Sequence, residues 1–322
     1  MAVGKKQGSC YTPNDLYQRI SQTNQIRMNI YHNWFLASRP WSFTMTAISV
    51  SVGGALGAID GNFSWILYLI TLLGTIFLHA ATNLINDYYD VKSGVDTREV
   101  STAQYRPHPL VEGELNAWQV RTAAFVFYGF SAVIGIYLAA TRGWELLWIG
   151  LIGAFGSFTY TAPPLKYKYS ALGEISVFLM WGPLMVAGAY FVQRQAYSTN
   201  AFWISLPFGV LVALVLLANN IRDIVHDREK GILTLAIVLG QRKGLLLYAT
   251  LVVLAYLGII LMSFFGPLYL WSLIVLLSIP LAFRLLHQMI KQIPADADAR
   301  TAQLDTAFGV LLVISLVLEG VF

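Results

Sequence analysis

Charged side chains and cysteines are both scarce in this chain. Lysine, arginine, aspartate and glutamate make up 12% of its 322 residues, which is about half of the share that is usual in soluble domains. The single cysteine, Cys10, excludes an intramolecular disulfide and a metal cluster held by cysteines. Residues 1–38 contain no long apolar stretch, so we expect no cleavable signal peptide there.

Apolar residues, by contrast, make up 57% of the chain and are concentrated in long runs. Most of these runs reach the ~20 residues that a helix needs to cross a bilayer. Glycine and proline inside them are no objection, because both are common in membrane helices. We therefore predict an all-α, polytopic membrane protein with nine transmembrane helices. The runs cover residues 41–59, 64–86, 117–140, 144–160, 171–193, 201–221, 244–265, 267–290 and 304–321.

Lysine and arginine are distributed unevenly along this nine-helix plan. Of the 21 basic residues, all except Arg142 and Arg194 fall in the N-terminal tail or near the loops on the same side. The positive-inside rule then predicts a multi-pass cell-membrane protein with a cytoplasmic N-terminus and an extracytoplasmic C-terminus. Residues 1–38 form a cytoplasmic or interfacial segment in this plan, and 39–322 form the transmembrane domain. Topology thus explains the net charge of +4, and we expect no nucleic-acid partner.

Two similar groups of asparagine and aspartate lie at the ends of the second and sixth apolar runs. Both contain spacings of three, four and seven residues, which place side chains on one face of a helix. A glycine follows four residues after the last aspartate, where a helix can end. Cluster 1 consists of Asn83, Asn86, Asp87 and Asp90, followed by Gly94. Cluster 2 consists of Asn219, Asn220, Asp223 and Asp227, followed by Gly231.

The equivalent positions of the two clusters suggest a weak internal repeat. Each cluster ends an even-numbered helix and is followed by a polar loop and two further spans. This pattern indicates two four-helix units plus a ninth helix. Related halves of this kind would direct their acidic helix ends toward a shared central cavity.

Three functions are compatible with such clusters. Solvated helix caps explain one cluster well but explain two matching clusters on one side of a membrane poorly. A cation-coupled transporter would use aspartates as proton or sodium carriers, but transporter sites usually lie at broken helices near the bilayer midplane. The third possibility is a Mg²⁺ site that binds a diphosphate substrate, because Mg²⁺ prefers oxygen ligands and commonly binds through carboxylates and phosphates. Basic residues follow cluster 1, occupy the 4–5 loop and flank cluster 2, where they would meet the remaining phosphate charge.

Three motifs in this chain resemble those of the UbiA-type intramembrane prenyltransferases. The sequence Asn86-Asp87-Tyr-Tyr-Asp90, with Asp96 and Arg106, resembles the first aspartate motif of that superfamily. The sequence Asn220-Ile-Arg222-Asp223-Ile-Val-His-Asp227 resembles the second. The sequence Tyr160-Thr-Ala-Pro-Pro-Leu-Lys166 resembles the loop after the fourth helix. The resemblance extends over nearly the whole chain from about Trp34, and nine helices agree with the family's fold.

Within the superfamily, three stretches are most similar to the 1,4-dihydroxy-2-naphthoate polyprenyltransferases of menaquinone synthesis. They are residues 37–43, 181–193 and 219–236. One departure from the common pattern is that Asp90 and Asp96 are six residues apart, with Gly94 between them. Many superfamily members have a spacing of four at this point.

The resemblance implies Mg²⁺-dependent transfer of a polyprenyl group from polyprenyl diphosphate to an aromatic acceptor within the bilayer. The most similar branch implies 1,4-dihydroxy-2-naphthoate with loss of carbon dioxide; 4-hydroxybenzoate, homogentisate and glyceryl phosphate are the alternatives. The implied metal ligands are Asn86, Asp87, Asp90, Asp96, Asn220, Asp223 and Asp227, and the implied catalytic residues are Asp87, Asp90, Asp223 and Asp227. The implied substrate contacts are Arg39, Arg106, Tyr160, Lys166, Lys168 and Arg222. Arg39, at the start of the first helix, either pairs with the acceptor's carboxylate or extends its charged group to the membrane interface. His79, deep in the second helix, is either a base or a hydrogen-bonding partner between helices.

Overall fold

The computed structural model describes residues 30–61, 63–98 and 107–321. In these ranges the chain is helical with connecting loops, and its only β pairing is an isolated bridge between Ser170 and Leu233. Arg106 and the tail before residue 30 lie outside the described residues.

The described residues contain eight helices that are long and apolar enough to cross a membrane, together with one shorter apolar helix. The first of the eight begins with a helix over residues 30–38, which leads into α1 through the 3-10 turn Pro40–Ser42. We number the spans α1 Phe43–Ile59, α2 Trp65–Lys92, α3 Ala117–Arg142, α4 Glu145–Thr159, α5 Gly173–Arg194, α6 Thr199–Arg222, α7 Gln241–Phe265, α8 Leu270–Lys291 and α9 Ala297–Val321. The predicted all-α membrane fold is therefore confirmed. The fourth span has 15 residues, which at ~1.5 Å per residue is shorter than a bilayer core.

Two spans depart from regular α-helix. Residues Met180–Leu184 of α5 form a π-helical turn that contains Pro183, because proline removes a backbone donor and disturbs the helical ladder. The first part of α8, Leu270–Ser278, is a 3-10 helix. The observed start of α9 at Ala297 is seven residues earlier than the apolar run indicated.

The two clusters end their helices in the same way. Gly94 and Gly231 have φ angles of 73° and 69°, the left-handed conformation that glycine adopts most easily after a helix. The residues that follow, Val95 and Ile232, donate backbone hydrogen bonds of 2.9 Å to the carbonyls of Asp90 and Asp227. Both helix stops predicted from the glycines are present.

Helix α6 lies at the centre of the main apolar core, where Phe208, Leu211 and Leu214 are fully buried. It approaches α5 closely, because a Cβ added at Gly209 would lie 2.8 Å from the Cα of Gly182. Helix α9 packs against both α1 and α6. A second, smaller core joins α2 to α3 around Leu84 and Ile85. Both clusters therefore lie on helices that are held by buried packing.

Candidate active site

A cavity of about 830 Å³ extends between α2, α3, α4, α5 and α6. Its walls along most of its length are apolar, with Leu78, Ile134, Ile149 and Leu184 among them. The carboxylate and amide side chains at one end come from both clusters, from the loop after α2 and from the start of α9. They are Asn83, Asn86, Asp90, Asp96, Asn219, Asn220, Asp223, Asp227 and Asp298; Asp87 of cluster 1 is not among them.

The loops at this end hold the two clusters together. His226, beside cluster 2, lies with its Nε2 atom 3.3 Å from the carbonyl oxygen of Val95, which follows cluster 1. The 4–5 loop, residues 160–172, pairs with the 6–7 loop, residues 223–240, because Ala171 donates a backbone hydrogen bond of 2.8 Å to the carbonyl oxygen of Leu233. The 4–5 loop therefore contacts the first aspartate motif through Lys168 and Tyr169, and it contacts the segment that follows the second motif at Leu233.

In cluster 1, Asp90 is buried and meets two side chains from the 4–5 loop. The Nζ atom of Lys168 lies 2.6 Å from Asp90 Oδ2 and 3.2 Å from Asn86 Oδ1. The hydroxyl of Tyr169 donates to Asp90 Oδ1. Burial favours the neutral amine, but the negative charge of Asp90 outweighs it and raises the pKa of Lys168. Lys168 is therefore a fixed positive charge at the wall of the cavity.

The other two carboxylates of the first motif share a histidine. Asp87 forms an ion pair with Arg39, and the Nε2 atom of His108 lies 3.8 Å from Asp87 and 3.3 Å from Asp96. Burial opposes ionisation of Asp96, but the hydrogen bond from His108 and the charge of Lys168 lower its pKa to about 2. One ligand atom from each of Asp87, Asp96 and His108 lies within 4.8 Å of the others, a separation that a shared cation could bridge.

In cluster 2, the charges are arranged differently. Arg222 donates to both carboxylate oxygens of Asp223, at 2.9 and 2.7 Å, and to Asp298 at 2.6 Å. Asp227 has no hydrogen-bond or ion-pair partner among the described residues. Burial and the nearby negative charge of Asp223 raise the pKa of Asp227 to about 6. This carboxylate is thus the one in cluster 2 that most lacks positive charge.

The helical face predicted for cluster 2 is present with one interruption. Helix α6 ends at Arg222, and a short helix, Ile224–Glu229, begins after Asp223. The amide of Asp227 nevertheless donates 2.9 Å to the carbonyl of Asp223. The i, i+4 relation is kept, so both side chains line the cavity.

The predicted substrate contacts are dispersed. Arg39, Tyr160 and Lys168 line the cavity, and Lys168 Nζ lies 5.8 Å from the ring centroid of Tyr160. Lys166, by contrast, is exposed and is not among the lining residues. Arg222 lies behind the wall, where it binds Asp223 and Asp298. Arg106 falls outside the described residues. The substrate-binding roles of all six residues stay predictions.

His79 makes contacts between helices. Its Nδ1 atom lies 2.8 Å from Thr46 Oγ1 and its Nε2 atom 3.2 Å from Ser42 Oγ, both near the start of α1. Its ring meets that of Trp181 edge-on, with centroids 5.0 Å apart. Of the two roles suggested by the sequence, these contacts favour a hydrogen-bonding partner.

Four residues at the site were not found from the sequence. They are His108, Tyr169, Glu174 and Asp298, and each contacts a residue of the aspartate motifs. Glu174 offered a usable signal, because a carboxylate at the start of an apolar run is as costly as those of the clusters. The others contact residues 12 to 79 positions away in the sequence, and no local pattern indicates such pairs.

The fold and the cavity together define a class of protein: a membrane-embedded helical bundle with a long apolar chamber that ends in carboxylates, amides and fixed cations. Residues 46–312 of this chain match the UbiA prenyltransferase family. The chain belongs to that family.

Two relatives illustrate the match in sequence. The chain is 31% identical over 289 residues to the 1,4-dihydroxy-2-naphthoate octaprenyltransferase of Bacillus subtilis (strain 168), covering 88% of this chain and 91% of that protein. It is 32% identical over 291 residues to the UbiA prenyltransferase domain-containing protein 1 of Dictyostelium discoideum, covering 88% and 87%.

Solved structures agree in fold. A UbiA homolog from Archaeoglobus fulgidus bound to GPP and Mg²⁺ aligns with a TM-score of 0.58 and 17% identity, covering 88% of this chain and 99% of that one. The apo structure of a UbiA homolog from Aeropyrum pernix K1 aligns with a TM-score of 0.62 and 15% identity, covering 86% and 97%. These structures agree with the fold, and the family match and the two relatives show that the chain is a UbiA-type prenyltransferase of the membrane.

Proposed function

We propose that this enzyme transfers a polyprenyl group from polyprenyl diphosphate to 1,4-dihydroxy-2-naphthoate, with loss of carbon dioxide, in menaquinone biosynthesis. The observation that carries the proposal is the meeting of both aspartate motifs at the polar end of one long apolar cavity. The acceptor rests on the similarity of residues 181–193 and 219–236 to the naphthoate branch and on the 31% identity to the Bacillus subtilis enzyme.

The donor set of the cavity suits Mg²⁺. Carboxylate and amide oxygens are the ligands that this ion prefers, and Asp227 lacks any partner among the described residues, so it would be stabilised by a cation. Asn86, Asp90 and Asp96 would hold the metal on one side, and Asn220, Asp223 and Asp227 on the other. Asp87, which is paired with Arg39, remains a further proposed ligand. When bound, magnesium supplies positive charge that stabilises the diphosphate as a leaving group.

Lysine and arginine side chains of the protein would also stabilise the negative charge of the diphosphate. Lys168 is buried beside Asp90 and lines the cavity, so its ammonium group would bind the diphosphate and stabilise the charge that develops as the allylic C–O bond breaks. Its position before the reaction is fixed by Asp90, so little reorganisation is needed. Arg106 remains a proposed contact of the diphosphate, whereas the exposed Lys166, which is not among the residues that line the cavity, is expected to contribute little.

The apolar walls protect the allylic cation formed from the substrate. Water would capture this cation, and a cavity lined mainly by aliphatic and aromatic side chains excludes water. The rings of Tyr160 and Trp181 lie in the wall, and aromatic faces stabilise a cation. The acceptor's ring carbon then attacks the allylic carbon, and carbon dioxide and a proton leave the acceptor. Arg39, at the polar end, would orient the acceptor through its carboxylate.

An isotope experiment tests the acceptor. Membranes that contain the enzyme are given polyprenyl diphosphate, Mg²⁺ and naphthoate labelled at the carboxyl carbon. We expect a prenylated lipid without the label and an equal amount of labelled carbon dioxide. Retention of the label in the lipid, or prenylation of 4-hydroxybenzoate alone, would contradict the naphthoate assignment. Removal of metal by EDTA should abolish the reaction and Mg²⁺ should restore it, because the carboxylates alone repel diphosphate.

The proposed topology places the N-terminus and the active-site loops in the cytoplasm and the C-terminus outside the cell membrane. The distribution of lysine and arginine supports it. In intact cells, a membrane-impermeant maleimide should label Val321→Cys in a Cys10→Ser background, and it should leave the native Cys10 unmodified. Labelling of Cys10 would show that the N-terminus lies outside the cell and would contradict the proposed topology.

A further inference from the structure

Glu174 is a buried carboxylate that the proposed chemistry does not use. It lies in the first turn of α5 and is 6% exposed. Its Oε1 atom accepts a hydrogen bond of 2.8 Å from the side-chain amide nitrogen, Nδ2, of Asn220 in cluster 2. Its Oε2 atom is buried and has no partner among the described residues. A carboxylate with one partner is costly to bury, and a favourable interaction with the helix N-terminus does not require burial.

The contact fixes which way the amide of Asn220 points. Because Oε1 of Glu174 accepts this hydrogen bond, the NH₂ group of Asn220 faces Glu174. Asn220 lines the cavity, whereas Glu174 is not among the lining residues. The amide oxygen is thus the polar atom that Asn220 can offer to the cavity.

The neighbouring asparagines differ in this respect. The amide oxygen of Asn86 accepts from Lys168 at 3.2 Å, and that of Asn219 accepts from Arg222 at 2.7 Å. No donor among the described residues reaches the amide oxygen of Asn220. Of these three asparagines, Asn220 is the one whose oxygen meets no donor in the described part of the chain; the oxygen of Asn83, which also lines the cavity, meets none there either, but Asn83 is not one of the predicted metal ligands.

We propose that Glu174 is a positioning residue for the metal site: it orients Asn220 so that its amide oxygen, and not its NH₂ group, faces the cation. This role rests on the proposed function, because the cation is the Mg²⁺ of that reaction. Partners behind a metal ligand commonly fix its orientation in this way.

The test measures metal binding by the purified full-length protein, with Mn²⁺ as a paramagnetic probe and inorganic diphosphate present. E174A should weaken Mn²⁺ binding ~10–100-fold, the usual effect of removing a partner behind a ligand. E174Q should stay within about threefold of the unaltered protein, because the glutamine oxygen accepts the same hydrogen bond. E319A is the matched control, since Glu319 also accepts side-chain and backbone hydrogen bonds, from Ser272 and Tyr269, but at the far end of α9.

A double variant separates positioning from a direct metal contact. If Glu174 acts through Asn220, then E174A added to N220A should cause no further loss of Mn²⁺ binding. Additive losses, or an E174Q loss equal to that of E174A, would show that the carboxylate is itself needed at the metal and would overturn the role. Unchanged binding by E174A would overturn it as well. Absence of Mn²⁺ binding by the unaltered protein would instead overturn the proposed function, and this role with it.

Discussion

The two aspartate clusters are alike in sequence and in the way their helices end, yet their charges are neutralised differently. In cluster 1, Asp87 and Asp90 contact Arg39 and Lys168, which come from segments far away in the sequence. In cluster 2, Asp223 is bound by the adjacent Arg222. A similar local motif therefore has two different surroundings.

This difference suggests that the two clusters contribute differently to the cavity. Lys168 belongs to the 4–5 loop and lines the cavity, so the cation of cluster 1 is available to a substrate. Arg222 lies behind the wall and connects α6 to α9 through Asp298. Cluster 1 would thus contribute charge to diphosphate binding, and cluster 2 would contribute rigid oxygen ligands.

The largest expected effect tests whether both clusters are required. Asp90→Ala and Asp223→Ala should each lower turnover ~100-fold or more, because metal-ion stabilisation of a leaving group contributes several kcal/mol. Turnover is measured in detergent with saturating Mg²⁺, after chromatography has shown that each variant is folded. Asp60→Asn, at the other end of the bundle, where the carboxylate accepts from Tyr190, should be nearly normal. Near-normal turnover by both cluster variants would show that the clusters are not needed for catalysis and would support the alternative that they are helix caps.

The next prediction concerns stability and separates Arg222 from an ordinary surface arginine. The side chain of Arg222 is 5% exposed and that of Asp223 is 6% exposed, so removing the cation leaves buried charge without its partner. Arg222→Met should lower the free energy of unfolding by about 3–5 kcal/mol. Arg300→Met removes a half-exposed pair with Asp296 and should cost no more than about 1 kcal/mol. Unfolding in mixed micelles measures the stability of both variants. Equal losses of unfolding free energy would contradict the role of Arg222 in connecting α6 to α9.

A third prediction compares two lysines of the same loop. Lys168→Ala should lower kcat/KM for polyprenyl diphosphate ~10–100-fold, because a charge-assisted contact to phosphate contributes about 1.5–3 kcal/mol. Lys166→Ala should change it by less than about threefold, since its exposed ammonium group is well solvated. The two residues are separated by one position, so general effects of loop charge are matched. Equal losses would restore Lys166 to the diphosphate site.

The fold of this protein was largely predictable because membrane spans and helix stops are local properties. An apolar run of sufficient length predicts a span, and Gly94 and Gly231 mark helix ends because their conformation favours glycine. The boundaries were less predictable. The ninth helix begins before its apolar run, at Ala297, because the polar Asp298 in its first turn faces Arg222 and the cavity rather than lipid.

The site was only partly predictable, because spacing identifies ligands on one helix but not their partners. The 3.6-residue period placed Asp90 on one face of its helix with the rest of cluster 1, and Asp227 on one face with the rest of cluster 2, and both side chains line the cavity. Which of Lys166 and Lys168 lines the cavity depends on the conformation of the 4–5 loop, where Lys166 adopts a left-handed backbone and Lys168 is the lysine that lines the wall. The contact of Glu174 with Asn220 depends on how α5 packs against α6, which no pattern within either helix specifies.

The smallest expected effect tests whether the two helix ends are equivalent. A Cβ added at Gly94 or at Gly231 would meet no heavy atom within 4 Å, so only the left-handed backbone opposes a side chain. Gly94→Ala and Gly231→Ala should therefore each lower the free energy of unfolding by about 1–2 kcal/mol, and asparagine should be tolerated better than alanine at both positions. Gly129→Ala in α3 is the control with the opposite sign, because its added Cβ also meets nothing but its backbone is helical. It should be neutral or stabilise by about 0.5–1 kcal/mol. A large loss at only one of the two glycines would show that the helix ends, like the charges around the clusters, have diverged.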